Sequence, residues 1–528
     1  MSRVFVIGLD GATWAVLRPA FEANRLPTLR YLFEEGGWGS LRSTFPPVTP
    51  PAWTSFITGV NPGAHGVFSF RGRHHQSYRG IPVSAADRRH PTLLQRLSAN
   101  GHRVAAVTIP FTYPPEPLAD GCMVSGFGLP SSRKEAVTPP ELFTEIASFV
   151  GRIPTWPVPP STPAYLERTG EDIRRRFKIG ELLLRRYDPD VFFLVVSETD
   201  HAAHYFWDSQ DPPENLLSVY ERSDRELGRL FDQFLEPDDA VMVMSDHGTG
   251  PGRGVRVHVN ALLMELGLLA PKGRWATSPI HWALRGARSK LEHGFPGISR
   301  RVRRVSPGAV TRLVSRQLHD SAVDWSRTVA YCPSYGTIRI NLRGREPAGV
   351  VNPQEYEPVR EDVRRALLSL AGPRGVRLFS DVLTREQIFE GPFVDEAPDL
   401  LTVDMDPGYE IVSTFDLALP KFVDSDRRLS QSESMGTHRQ EGIYILRDPL
   451  LRHRPSGDTV DIADILPAVL GGRSLLPLES SLKQRWYGQI HAPVSEPVQP
   501  ISTSEQLELT ESEQAAVEEH LRSLGYVE

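Results

Sequence analysis

The sequence predicts an α/β fold: a mostly parallel central sheet flanked by helices, with an inserted, mainly helical cap. Two observations carry this reading. The segments Arg3–Leu9, Arg103–Ile109, Val191–Val196 and Ala240–Met244 are almost wholly apolar, as strands buried on both faces are. Helix-length segments alternate with them, at Leu26–Glu35, Pro91–Ala99, Glu171–Arg186 and Pro213–Leu235. Alternation of that kind is the mark of parallel strands joined by crossover helices.

These elements define the N-terminal part of a core, residues 1–254. From 255 to 326 the pattern changes to a helix-prone stretch without strong strand signals. Between Lys272 and Arg316 stand eleven Lys or Arg and one acid, Glu292. This basic insert reads first as a solvated cap. Trp275, Trp282 and Leu284 beside its charges favour a surface-seeking lid. Such a lid would recruit an anionic substrate or rest peripherally on an anionic membrane. Strand-like segments return at Gly336–Asn341, Asp399–Val403 and Gly442–Leu446, and Asp461–Leu470 resembles a helix, so 327–480 reads as the C-terminal part of the core. Residues 481–528 close the chain with a Pro/Ser-rich linker from Pro493. A short acidic amphipathic helix follows at Glu505–Leu524, a packing or homo-oligomer contact.

At 528 residues the chain is long enough for two units, or for one large core with insertions. Its net charge of −6 argues against nucleic acid as a partner. Two cysteines, Cys122 and Cys332, exclude a disulfide framework and a cysteine-rich zinc site. No apolar run approaches the roughly 20 residues of a membrane span. The opening Met-Ser-Arg leads directly into a strand, without the apolar core of a signal peptide. The expected location is the cytoplasm.

The candidate chemistry is an acid-and-histidine set. Asp10 follows VFVIGL, Asp200 with His204 follows VFFLVVSET, and Asp246 with His247 follows AVMVMS. Ligand sites of parallel sheets gather at the carboxyl ends of the strands. Asp200 and His204, four apart, share one face of a helix. Asp246 and His247 can point together only where the strand has ended, and Gly248 permits a turn there. His438 lies in the loop SMGTHRQEG. Six oxygen and nitrogen ligands suffice for two divalent metal ions, which suit phosphoryl transfer. The segment STFPPVTPPAWTSFITG supplies a hydroxyl at a helix start, with helix capacity from Ala52. There the helix dipole and free N–H groups favour an alkoxide and an anionic phosphoryl group. Thr44, Thr54, Ser55 and Thr58 compete with Thr49 for that role. Each cluster alone reads as a cap, a turn or a solvated side chain; their combination does not.

In GLDGA, TPPAWTSFITGVNPGAHGVFSF, ETDHAAHYFWD, MSDHG and GTHRQEGIYIL, from Val4 to roughly Leu470, the chain resembles the alkaline phosphatase superfamily. It is most similar to the type I phosphodiesterase/nucleotide pyrophosphatase branch and its predicted phosphohydrolase/phosphomutase group. The resemblance implies an alkaline-phosphatase-like core. Asp10, Asp246 and His247 would bind one metal, and Asp200, His204 and His438 the other. Thr49 would touch both as the catalytic nucleophile and form a phosphothreonine intermediate. Zinc fits the N/O ligands, with manganese as the alternative. The implied function is a phosphodiesterase or phosphatase acting on a small phosphorylated substrate. The alternatives are a phosphomutase using the same intermediate and a non-catalytic binding protein that keeps the fold. Sulfatases are less similar, because they need Cys or Ser where Thr49 stands. The chain departs from the nucleotide pyrophosphatases in two places. It has Thr49-Pro50-Pro51-Ala52 where they have Thr-Phe-Pro-Asn, and Phe70 where they have a phosphate-binding Asn. Pro50 offers no N–H, so Asn61 and Arg71 are the candidates for holding the phosphoryl oxygens.

Overall fold

A computed structural model describes residues 2–273, 322–488, Gln514 and Val517, save for short stretches at 75–76, 127–133, 155–161, 208–210, 253–254, 374, 404–408, 414, 416, 418–419, 425–435 and 479. Nearly all of the basic insert and most of the C-terminal helix expected at 505–524 lie outside the described residues.

The fold is an α/β core of the predicted class. Its nine-stranded sheet runs in the order Ser456–Asp461, Gly37–Arg42, Glu441–Arg447, Ala240–Met244, Val4–Leu9, Val191–Val196, Val104–Ile109, Gly121–Ser125, Val137–Thr138. Only Glu441–Arg447 and the short Val137–Thr138 run against the rest. The apolar strands are buried on both faces, and alternate residues feed two cores. Phe5, Ile7 and Leu9 face a layer that includes the helices Thr162–Tyr187 and Glu214–Phe234. Val4 and Val6 face the helices Thr49–Thr58, Leu93–Ala99 and Ile462–Gly472. Truncating a fully buried ring such as Trp53 or Phe177 costs about 3–5 kcal/mol, enough to matter against a stability of about 5–15 kcal/mol.

The strand-like segments near 336–341 and 399–403 do not extend this sheet. They pair within a second sheet, in the order Ala330–Ser334, Thr337–Ile340, Leu400–Val403, Asp381–Thr384. A tight hairpin explains the difference. Tyr335 and Gly336 both have positive φ, 38° and 70°, the pattern of a turn that matches strand twist. Val257, Leu263, Ile338, Val363 and Leu400 form a separate apolar core beneath it. Val255–His258 opens this unit as the centre of a three-stranded sheet, where the sequence shows no strong strand signal. Cys122 and Cys332 are free and buried. Among the described residues, no helix is long and apolar enough to cross a membrane.

One buried histidine gives the core a pH dependence. His65 accepts the Val67 N–H through Nδ1 (3.1 Å), so its Nε2 proton faces Ser55 Oγ at 3.0 Å. Burial first, then the charge of Arg88, pushes its pKa down from 6.5 to about 3. Between those values the unfolded chain binds a proton that the folded chain does not, so stability falls as pH falls. His65→Gln is expected to lose less stability than the parent between pH 7 and pH 4 in denaturant unfolding. Equal losses in the two proteins would show that another group controls the acid limb.

Candidate active site

The sheet brings the candidate residues to one edge. Val4–Leu9 lies between Val191–Val196 and Ala240–Met244, parallel to both. Asp10, the helix Glu198–Phe206 and the Asp246-His247 pair therefore leave from three adjacent carboxyl ends. Gly37–Arg42 runs in the same direction and leads towards Thr49. Glu441–Arg447 runs the other way, so the His438 that precedes it arrives at the same edge. His438 does not sit in a loop, as its polar surroundings predict. It belongs to the strand Gly436–Arg439, opposite Thr249 of Gly248–Pro251. Nor is Gly248 there for a left-handed turn. A Cβ at that position would collide with the carbonyl oxygen of Glu441, so glycine is needed for close approach rather than for φ.

Seven candidate side chains converge. Asp200 Oδ2 is 3.4 Å from His204 Nε2, and Asp200 Oδ1 is 3.6 Å from His438 Nε2. His247 Nε2 lies 3.3 Å from Asp246 Oδ2 and 3.8 Å from Asp10 Oδ1. Thr49 Oγ1 is 3.4 Å from the same His247 Nε2. Two groups of ligand atoms each fall within 4.8 Å, one of Asp200, His204 and His438, the other of Asp10, Asp200 and His247. Asp200 belongs to both, a sharing that spacing along the chain does not reveal.

The donor chemistry fits divalent cations. The ring Nδ1 atoms of His204, His247 and His438 lie 2.8, 3.0 and 2.9 Å from the carbonyl oxygens of Gly436, Gly248 and Pro47. A carbonyl only accepts, so each Nδ1 carries a proton and each ring turns its Nε2 inward as the ligand atom on offer. The Nε2 atoms of His204 and His438 are 2.9 Å apart, and with an Asp200 oxygen they fall within the reach of one cation. Among the described residues, Asp10 Oδ1 and Asp246 Oδ2 are buried without a hydrogen bond, which is costly unless a charge compensates them. Burial, with Asp246 and Asp200 alongside, pushes the Asp10 carboxyl well above the usual carboxylate range. Burial also raises Asp246. Burial, with His247 and His204 nearby, pushes His438 well below the usual imidazole range.

The surrounding groups hold this arrangement. Trp53 Nε1 donates to Asp10 Oδ2 at 3.2 Å, and Gly11 N donates to Asp246 Oδ1 at 3.3 Å. Thr199 and Thr249 donate to the carbonyls of Asp10 and Gly11. The helix carrying Asp200 is anchored by a buried pair, Arg176 Nε to Glu198 at 2.9 Å. Breaking such a pair costs about 3–5 kcal/mol. Sequence reasoning missed these partners, because a Trp or Thr inside an apolar or polar run carries no periodic signal. Gly11 is constrained twice over. Its φ is +64°, and a Cβ would lie 2.7 Å from Asp200 Oδ1. Gly11→Ala is expected to lower metal affinity tenfold or more, by analogy with disturbed ligand support. Unchanged affinity by titration would show that the Asp200 carboxylate has room to shift.

Thr49 is the first residue of its helix, and Val48 holds the cap position. The helix thus begins three residues earlier than the Ala52 start expected from the two prolines, which fit its first turn. This placement also limits the helix end as an anion site. Pro50 and Pro51 have no N–H, and the Ala52 N–H is bonded to Val48 O at 3.2 Å. Thr44, Ser55 and Thr58 direct their hydroxyls to Pro46 O, His65 and Thr54 O. Asn61 caps the short helix Pro62–His65 and accepts from Gly63 N and Glu390 N at 2.8 and 3.1 Å. Arg71 donates to Gly80 O at 2.7 Å within the hairpin Arg71–His74/Ser77–Pro82.

Fold and site together define a metal-dependent hydrolase of the alkaline phosphatase superfamily. The family model for type I phosphodiesterase/nucleotide pyrophosphatase matches residues 4–439, and the chain belongs to that family. No curated protein sequence matches it. Phosphonoacetate hydrolase from Sinorhizobium meliloti 1021, solved with phosphonoformate and with phosphonoacetate, is similar in fold. Its TM-score is 0.53 at 20% identity, over 86% of this chain and 92% of that one. Human ectonucleotide pyrophosphatase/phosphodiesterase 5 has a TM-score of 0.46 at 13% identity, over 92% of this chain and 99% of its own.

Proposed function

We propose that this protein hydrolyses phosphate esters through a phosphothreonine on Thr49. The single observation that carries the reading is the pair of inward Nε2 atoms of His204 and His438, 2.9 Å apart beside Asp200, with the Thr49 hydroxyl against His247. Asp10, Asp246 and His247 would hold one divalent ion and His204 and His438 the other, with Asp200 between them; zinc suits these donors and manganese is the alternative. When bound, two such ions neutralise phosphoryl oxygens and lower the pKa of a nearby hydroxyl.

The chain supplies the rest. Thr49 Oγ1 gives up its proton and forms a bond to phosphorus as the bond to the leaving-group oxygen breaks, and that oxygen takes up a proton and departs as the alcohol. Water then attacks the same phosphorus, breaking its bond to Oγ1, which regains a proton as the phosphate product leaves. Three histidines fixed through Nδ1 keep their Nε2 atoms aimed inward through both steps. The buried helix start excludes bulk water, which strengthens every charge interaction inside. The substrate is a small phosphorylated molecule; the phosphonoacetate bound by the Sinorhizobium enzyme is of that size and charge. A metal-supplemented screen of aryl phosphate monoesters and diesters in parallel tests this. Turnover of either class, abolished by chelation, is expected. No turnover of any ester by metal-loaded protein would contradict it.

A further inference from the structure

The second sheet reaches the acid–histidine set through a hairpin tip. Tyr335 follows the strand Ala330–Ser334, and its ring lies parallel to that of His438 with centroids 6.4 Å apart. Its φ is +38°. The central positions of such a turn favour Asn, Asp or Gly, and a bulky residue there is disfavoured. Strain of this kind persists only where the surroundings enforce it, and it gathers at functional sites. The surroundings here do enforce it. Gly336 O accepts from Thr402 N and Thr402 Oγ1, both at 3.1 Å. Ser334 Oγ is 2.9 Å from Ser69 Oγ. The ring packs on an apolar cluster that includes Val48, the residue before Thr49, and Phe70, at 6.2 Å.

This packing accounts for the ring and not for the hydroxyl. Tyr335 is half-buried, and among the described residues its hydroxyl has no hydrogen-bond partner. Burial first, then the Glu410 and Asp200 carboxylates, push its pKa up. The phenol therefore stays protonated, in the field of the carboxylate that faces both ligand groups. A donor is what the start of the nucleophile's helix lacks. Pro50 and Pro51 have no N–H, and Ala52 N is bonded to Val48 O. Of the residues expected to hold phosphoryl oxygens, Asn61 turns its side-chain oxygen to Gly63 N and Glu390 N, and Arg71 donates to Gly80 O.

We propose that Tyr335 is a substrate-binding residue whose hydroxyl donates a hydrogen bond to a phosphoryl oxygen of the ester. This rests on the reading of the site as one for phosphate esters. The test uses metal-loaded, full-length protein, with inorganic phosphate as the probe in calorimetry and an aryl phosphate in kinetics. Tyr335→Phe keeps the ring and removes only the hydroxyl. It is expected to bind phosphate roughly tenfold more weakly, the scale of one hydrogen bond to a charged group. Its metal content and melting temperature should match the parent, and kcat/KM should fall by a similar factor. If that variant fails to fold, Tyr335→Asn, which suits the positive φ, should show the same loss of phosphate affinity. Parent-like affinity in the Phe variant, or a parent that binds no phosphate, would overturn the assignment. So would weaker binding that comes with lost metal, because Tyr335 would then act through His438. Phosphate binding needs no turnover, so a hydroxyl-dependent affinity in a protein inert to every ester would sink the hydrolase reading alone.

Discussion

Thr49→Ala is expected to lose roughly 10² or more in turnover while keeping its metal, the scale seen when a catalytic group is removed. The effect is large because three of the competing hydroxyls point elsewhere. Thr44, Ser55 and Thr58 are committed to Pro46, His65 and Thr54. The fold should tolerate the change. Val48, not Thr49, is the helix cap, and no side-chain cap bond is lost. Stability is therefore expected to move by less than about 1 kcal/mol. Thr49→Ser should stay active, since the oxygen survives. Kinetics and a melting curve on the same preparation decide the matter. An alanine variant that turns over like the parent would remove Thr49 from the chemistry.

The second large effect falls on Asp200. Its carboxylate lies within 4.8 Å of donors in both groups, so Asp200→Asn should weaken both metal sites. His438 belongs to one group only, so His438→Ala should empty one. Elemental analysis is expected to find about two divalent ions per chain in the parent. The His438 variant should hold about one, and the Asp200 variant close to none. Removing a buried ligand often costs 10- to 100-fold in affinity even from outside the metal's immediate contacts, so loss from within should be at least as severe. Equal metal content in the two variants would show that the sites do not share Asp200.

Much of the core was legible because burial writes itself into the strands. Val191–Val196 and Ala240–Met244 are apolar at every position since both faces are covered, and the structure starts and stops them where the pattern does. The last two strands at one end of the sheet were not legible for the converse reason. Gly37–Arg42 carries two glycines, one of them pressed against the Asp458 carbonyl and Tyr444, and Ser456–Asp461 is polar because it closes the sheet. Neither alternates in a way that distinguishes strand from loop. The second sheet escaped because four-residue strands such as Thr337–Ile340 are too short to show a period.

At the site, the sequence carried residue types and their proximity to strand ends. It did not carry sharing or support. That Asp200 faces both ligand groups depends on three strands being adjacent in a particular order, which is a property of topology. The Nδ1 bonds to Gly436, Gly248 and Pro47 use backbone carbonyls, and a carbonyl has no residue letter. His438 looked like a loop residue because its neighbours are polar. Its strand partner lies almost two hundred residues away, at Thr249.

The most direct measurement is mass analysis of metal-loaded protein quenched during turnover of an aryl phosphate. A phosphoryl group on the peptide that contains Thr49, present with substrate and absent from Thr49→Ala, is the expected result. Sustained hydrolysis with no phosphoryl group on Thr49 at any quench time, or one located on another residue, would contradict it.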